Sequence, residues 1–348
     1  MPTAERILLI RPSALGDVCR SVPLLASLRR AYPAARIDWL VQDAFVDAVA
    51  AHPDLNNAVP FPRKTLGRQL RTLRWGRVLD WIGDLRHPRY NLVIDAQGLL
   101  RSGLISYFCG APTRVGDRAA AELAWLFYNT RIRTRRESHT VDRMLALLDP
   151  LEVPRLLDLR LYTPPAGTTQ AAELLGDGAI PYILLAPTSR WPGKRWPADR
   201  FAELALALFD AGVPRIVLVG GPGEESQCRP LLDLAAHDPR ILNCIGRTTV
   251  AGLMALVERA ALVIANDSAP VHMAVGFHRS LVALYGPTDV SRVGPCERSE
   301  DVLQHLTPAD RFDHKNHAHG QAMMQRISTQ EVLQAALQRW PAPSPART

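Results

Sequence analysis

Ile7-Leu8-Leu9-Ile10-Arg11-Pro12-Ser13-Ala14-Leu15-Gly16-Asp17-Val18 sets the architecture of this chain. Four consecutive apolar residues do not alternate, so they read as a strand covered on both faces rather than a half-solvated one. Pro12 cannot continue a hydrogen-bonded ladder, Gly16 allows a tight turn, and a helical pattern follows over residues 18–31. A buried strand, a short loop and a helix form the opening unit of a parallel α/β sheet. The unit repeats at Ile37-Asp38-Trp39-Leu40-Val41 with a short helix over 45–50, and at Leu92-Val93-Ile94-Asp95 with a helix after Leu99. A weak strand at 58–61 and a long basic helical stretch over 66–85 lie between them.

Residues 161–169 hold Thr, Pro and Gly without periodicity and mark a boundary, after which the pattern starts again. Strands are expected at 182–186, 215–219, 241–245, 262–265 and 281–284, with helices at 197–211 and 329–338. The length of 348 residues exceeds the roughly 250–300 that one core serves. Two domains follow, residues 1–163 and 170–328. The end from Pro341 is Pro-rich and expected to fray.

With 47% apolar and 22% charged residues the chain has the make-up of a water-soluble globular protein, and no apolar run approaches the roughly 18–20 residues of a membrane span. The start, Met1-Pro2-Thr3-Ala4-Glu5-Arg6, enters a strand at once and has no signal-peptide pattern. The five cysteines are scattered, odd in number and without CxxC spacing, which speaks against a disulfide scaffold or a cysteine zinc site and for a reducing cytoplasm. The net charge of +7 suits an anionic partner as well as plain solubility.

In parallel sheets ligands bind beyond the carboxyl ends of the strands, so the post-strand loops are where chemistry is sought. Asp17 in the first loop reads as a helix cap or as a functional carboxylate. Neither GxGxxG nor GxxxxGK[ST] occurs there. Pro187-Thr188-Ser189-Arg190-Trp191-Pro192-Gly193-Lys194-Arg195 supplies hydroxyls and cations that can hold phosphate oxygens, or a solvated loop. Gly220-Gly221-Pro222-Gly223-Glu224-Glu225 combines close backbone approach with carboxylates for ribose hydroxyls, or for a helix dipole. Asn266-Asp267-Ser268-Ala269-Pro270-Val271-His272 opens a helix whose N-terminus suits a diphosphate.

Together these loops resemble the lipopolysaccharide heptosyltransferases, heptosyltransferase I most closely. The resemblance rests on Leu15-Gly16-Asp17-Val18, Ile37-Asp38-Trp39-Leu40-Val41, Asp95-Ala96-Gln97-Gly98-Leu99, Leu126-Phe127-Tyr128-Asn129, Thr188-Ser189-Arg190 with Lys194-Arg195-Trp196, Asn266-Asp267-Ser268 through His272, and Tyr285-Gly286-Pro287-Thr288-Asp289. It implies an α/β GT-B architecture of two facing Rossmann-like domains, with the closing helix at 329–348 packing back on the first. It implies inverting, metal-independent transfer of L-glycero-D-manno-heptose from ADP-heptose to the Kdo–lipid A core, with no cofactor, in the cytoplasm at the inner face of the cytoplasmic membrane.

By that resemblance Asp17 is the general base. Thr188, Ser189, Lys194, Glu224 or Glu225, Asp267, Ser268, Ala269 and His272 hold the donor, with Ala269 standing where the family's motif has Gly. Ser13, Gly16, Arg63, Lys64 and Arg118 are expected on the acceptor side. The basic residues Arg63, Lys64, Arg68, Arg71, Arg74 and Arg77, and later Arg114, Arg118, Arg131, Arg133, Arg135 and Arg136, read either as a solvated face or as contacts to an anionic glycolipid and an anionic membrane leaflet. The competing readings are a transferase for another nucleotide sugar or acceptor, a non-catalytic polyanion binder, and a hydride-transferring enzyme. No nucleic-acid motif is present, and no nucleic-acid partner is expected.

Overall fold

The computed structural model describes residues 4–72, 75–176 and 180–340. Arg74 of the basic stretch and the Pro-rich end from Pro341 lie outside the described residues. The chain divides between Tyr162 and Thr163 into two compact units.

The first unit holds β1 (Arg6–Ile10), β2 (Arg36–Gln42), β3 (Asn57–Phe61), β4 (Leu92–Asp95), β5 (Thr113–Asp117) and β6 (Thr130–Ile132) in the order β3-β2-β1-β4-β5-β6. All pairs are parallel. After its exposed first residue β1 is buried throughout, as an apolar run in a doubly covered sheet should be. The second unit holds β7 (Ile183–Ala186), β8 (Ile216–Leu218), β9 (Ile241–Asn243), β10 (Leu262–Asn266), β11 (Ser280–Leu284) and β12 (Val302–Leu303), in the order β12-β11-β10-β7-β8-β9 and again parallel. Numbered within each unit, both sheets run 3-2-1-4-5-6, the doubly wound order of nucleotide-binding folds. In each, the order reverses between the first and fourth strands.

Several local expectations change. The helix expected over 18–31 starts at Leu15 and is split in two at Ser21, because Pro23 has no N–H for a continuous helix and sits at the start of the second piece, Val22–Ala31. The basic stretch forms two helices, Arg63–Arg71 and Trp75–Arg86. The boundary segment is partly helical: Pro165 opens the helix Pro165–Leu175, where a missing N–H costs nothing. The closing helix Thr329–Arg339 belongs to the second unit. It buries Val332, Ala335 and Ala336 in the apolar core of the second unit with Phe201, Leu204 and Ile264. Trp196 anchors that core, its indole N–H donating to the Ile327 carbonyl at 2.9 Å.

Candidate functional site

At the switch point of the first sheet the loops after β1 and β4 leave side by side. Asp17 sits in the first turn of the helix Leu15–Arg20, and its carboxylate accepts the Ala14 N–H at 3.2 Å, the reciprocal half of a capping box. It is also held from two sides. Arg11, which follows β1, reaches Oδ2 at 3.0 Å, and Arg20, one turn on, takes Oδ1. Burial pushes the carboxyl up, but the two guanidiniums and the Ala14 N–H outweigh it and hold Asp17 well below the usual carboxylate range. Arg11 and Arg20 are both buried, and sequence reasoning did not single out either. Arg20 was legible as an i,i+3 partner, whereas Arg11 comes from the strand side.

The two loops are tied together. Arg11 also donates to the Ala96 carbonyl, and the Ser13 N–H donates to Gln97 Oε1 at 3.2 Å. Asp95 is structural: it accepts the N–H groups of Gln97 and Gly98 and the Tyr128 hydroxyl, the last at 2.6 Å. Burial pushes its carboxyl up. Beside these loops lies a cavity of about 210 Å³ whose polar lining includes Ser13, Arg63, Gln97, Arg101 and Glu122. So Ser13 and Arg63 are brought together, and Arg101 joins them unforeseen. Lys64 and Arg118 are exposed and do not line this cavity. Gly16 lies inside the helix rather than in a left-handed turn.

At the switch point of the second sheet the loops after β7 and β10 meet. Asn266 is fully buried and clamps them, donating to the Pro187 carbonyl at 2.7 Å and accepting the Trp196 N–H at 3.0 Å. Lys194 Nζ meets Asp267 Oδ2 at 2.6 Å, and the Thr288 hydroxyl donates to the same oxygen at 2.6 Å. The turn Pro192–Lys194 is seated by close backbone approach: a Cβ on Gly320 would stand 2.6 Å from the Gly193 carbonyl oxygen. The helix carrying Gly320, His317–Met324, thereby buttresses Lys194.

Thr188 donates its hydroxyl to Glu224 Oε2 at 2.6 Å, and the Gly221 N–H donates to the same oxygen at 2.7 Å. Glu225 is exposed, so Glu224 is the carboxylate built into the post-β7 cluster. Ser189 is buried, with its N–H on Gln227 Oε1 at 3.1 Å. Ser268 turns its hydroxyl to the Asn266 carbonyl and leaves the first N–H groups of the helix Ala269–Gly276 without a side-chain cap. Such an end attracts an anion. Ala269 is its first residue, and His272 is buried in it. Asn266 and Thr288 stand in motifs the sequence showed but had no role assigned there, and Gly320 was not singled out. Among the described residues no group of three or more His, Cys, Asp or Glu side chains is placed to hold a metal ion, and no helix is long and apolar enough to cross a membrane.

The family model for glycosyltransferase family 9 (heptosyltransferase) matches residues 78–321. The chain is similar to lipopolysaccharide heptosyltransferase 1 of Pseudomonas aeruginosa, 29% identical over 307 residues covering 85% of this chain and 82% of the relative. Lipopolysaccharide heptosyltransferase 2 of Escherichia coli is 27% identical over 315 residues, covering 87% and 88%. Among solved structures, the E. coli ADP-heptose LPS heptosyltransferase II superposes with a TM-score of 0.78 at 25% identity, covering 96% of this chain and 98% of that one. The E. coli heptosyltransferase WaaC with ADP-2-deoxy-2-fluoro heptose superposes at 0.75 and 22% identity, covering 96% and 99%. The two six-stranded parallel sheets thus belong to the α/β GT-B class.

Proposed function

Because this chain belongs to glycosyltransferase family 9, the heptosyltransferases, we propose that it transfers L-glycero-D-manno-heptose from ADP-heptose to the Kdo–lipid A inner core of lipopolysaccharide, with inversion and without a metal. The observation that carries the proposal is Asp17, an ionised carboxylate fixed at the carboxyl end of β1 by Arg11 and Arg20. Inversion requires the acceptor hydroxyl to attack the anomeric carbon on the face opposite the ADP group. Asp17 takes the proton as the new C–O bond forms and the bond to the diphosphate breaks; such general-base help contributes roughly 10²–10⁴-fold. The transition state has oxocarbenium character, as in glycoside hydrolysis.

Negative charge grows on the departing diphosphate. In this reading Lys194, Thr188, Ser189 and the N–H groups at Ser268 and Ala269 stabilise it, without reorganising at the moment of reaction. Asp267 and Thr288 keep the Lys194 ammonium in place until phosphate oxygens share it, and His272 supports that helix end from within. Glu224 rather than Glu225 receives the ribose hydroxyls. Ser13, Gly16 and Arg63 take the acceptor side, with the exposed Lys64 and Arg118 as further contacts to its anionic groups. An acceptor anchored in the inner leaflet makes the enzyme cytoplasmic and peripheral to the membrane.

Mass detection of heptose added to Kdo₂–lipid A from ADP-heptose tests this reading, run beside a panel of ADP-, GDP- and UDP-sugars. Asp17→Asn is expected to lose transfer by at least about 10²-fold while ADP affinity stays within about twofold. Near-native turnover of the variant would remove the base assignment, and preferred use of another sugar would change the donor.

A further inference from the structure

The helix Leu100–Phe108 buries Ser102, Gly103, Ile105 and Ser106 and turns its other face outward. On that face Leu100 is 40% exposed, Tyr107 53% and Phe108 40%, at i, i+7 and i+8. The short helical turn Ala124–Phe127 packs against the buried face: Gly103 lies so close to it that a Cβ there would meet the Ala124 carbonyl at 2.9 Å and the Phe127 ring at 3.1 Å. That turn adds Leu126 at 52% exposure, and Leu123 just before it adds 59%. Tyr107 joins the two elements through edge contacts to Phe108 and Phe127, with centroids 5.7 and 6.0 Å apart.

Scattered exposed apolar residues need no explanation, but five large ones on two packed elements do. Arginines stand on their border beside one carboxylate, Glu122, which accepts the Leu100 N–H at 3.2 Å. Arg114 lies over the Tyr107 ring at 5.7 Å and Arg131 over the Trp125 ring at 5.2 Å. Residues 99–136 hold seven arginines against two carboxylates. Aromatic and leucine side chains rimmed by guanidiniums are the composition of a surface that enters the headgroup layer of an anionic bilayer, the apolar atoms reaching the acyl boundary while the arginines meet phosphates. A second copy of the chain is a poor occupant, because a two-fold contact would set arginine against arginine. The N-terminal end of the same helix, at Leu99, Arg101 and Ser102, lines the cavity beside Ser13.

We propose that the outer face of Leu100–Phe108 together with Leu123 and Leu126 is a docking surface for an anionic lipid bilayer, set beside the cavity where the acceptor's sugar enters. It deepens the reading of the acceptor as a membrane-anchored glycan by naming the surface that meets the membrane. The test uses the full chain and vesicles of phosphatidylcholine alone or with about one quarter phosphatidylglycerol, in a flotation assay without donor or acceptor. The wild type is expected to float with the anionic vesicles, to lose most binding at high salt, and to bind neutral vesicles weakly. Phe108→Glu with Leu126→Glu should cut the partition coefficient at least about tenfold, and Leu123→Glu alone should cut it measurably, with circular dichroism unchanged. Failure of the wild type to float, or equal flotation of the folded variants, overturns the proposal. So does a wild-type dimer in sedimentation that the double variant converts to monomer. Because neither donor nor acceptor is present, each of these outcomes leaves the transferase reading standing.

Discussion

Replacing Arg11 by Gln isolates what the guanidinium does to Asp17. Gln keeps an amide donor for the Ala96 carbonyl but removes a full charge 3.0 Å from Asp17 Oδ2. Charge centres about 4 Å apart at an effective dielectric near 20 interact by about 4 kcal/mol, an upper value equivalent to about 3 pKa units. Asp17 keeps 25% of its side chain exposed, which favours the lower part of the 1–3 units usual for an adjacent arginine, about 2 units. The direction follows from linkage. In the proposed reaction only ionised Asp17 accepts the proton, so rate is expected to be lost as pH falls through its pKa. In the wild type burial raises that pKa and the two arginines bring it far below the ordinary range, so the acid limb of kcat/KM is expected below the assayed range. Removing Arg11 raises the pKa and moves the limb up by about 2 units; removing Arg20 as well leaves burial opposed by the Ala14 N–H alone and lifts it above the ordinary carboxylate value of about 3.9. The assay is kcat/KM from about pH 4.5 to 8.5, with Arg11→Lys as the charge-preserving control that keeps the wild-type profile. A loss of rate equal at every pH, with no limb in the double variant, would refute the view that this pair sets the proton affinity of Asp17.

Two further perturbations address the second unit. Lys194→Met takes from Asp267 its ammonium partner, leaving the Thr288 hydroxyl on the same oxygen, and removes the cation proposed for the diphosphate; ADP affinity by calorimetry should fall about 10–100-fold, and an unchanged affinity would remove Lys194 from the donor site. Gly320→Ala drives a methyl against the Gly193 backbone, 2.6 Å from its carbonyl oxygen, and should cost about 1–3 kcal/mol in urea unfolding while weakening ADP binding through the displaced Lys194. Native stability with weakened ADP binding, or the reverse, would separate the packing effect from the positioning one.

The parts of the fold legible in the sequence are those where burial leaves a one-dimensional trace. Ile7–Ile10 of β1, β4 and β10 are covered on both faces and read as unbroken apolar runs. β5 reads Thr-Arg-Val-Gly-Asp and β12 is two residues long, so neither leaves such a trace; both take their strand identity from the neighbour they pair with. The helix Pro165–Leu175 hides behind Pro, Gly and Thr, whose turn preference is overridden because Gly167 lets it settle against Ala251. The same division holds at the site. Thr188, Ser189, Lys194 and Asp267 sit in post-strand loops and were singled out as candidates by position. Their partners were not: Lys194 meets Asp267 across 73 residues and Thr188 meets Glu224 across 36. The choice between Glu224 and Glu225 is of this kind, since only the Gly221 N–H and the Thr188 hydroxyl distinguish two adjacent carboxylates.

The two sheets share one strand order, and their switch points nevertheless carry different charge patterns. In the first, one carboxylate stands between two buried guanidiniums, a local excess of one positive charge. In the proposed reaction such a site keeps Asp17 ionised and would also attract an acceptor bearing carboxylates and phosphates, which can draw on the arginines that hold Asp17. In the second, the Lys194 ammonium is matched by Asp267 and the Arg195 guanidinium lies in the field of Glu224, beside hydroxyls and the N–H groups of a helix start without a side-chain cap. In the proposed reaction a charge-matched cluster rich in N–H and O–H donors would bind a diphosphate without holding the released ADP as tightly as a bare cation cluster would. The proposed turnover needs both properties, an acceptor side that recruits anions and a donor side that lets one go, and two sheets of one strand order could supply them through a few loop residues while the strand order stays the same.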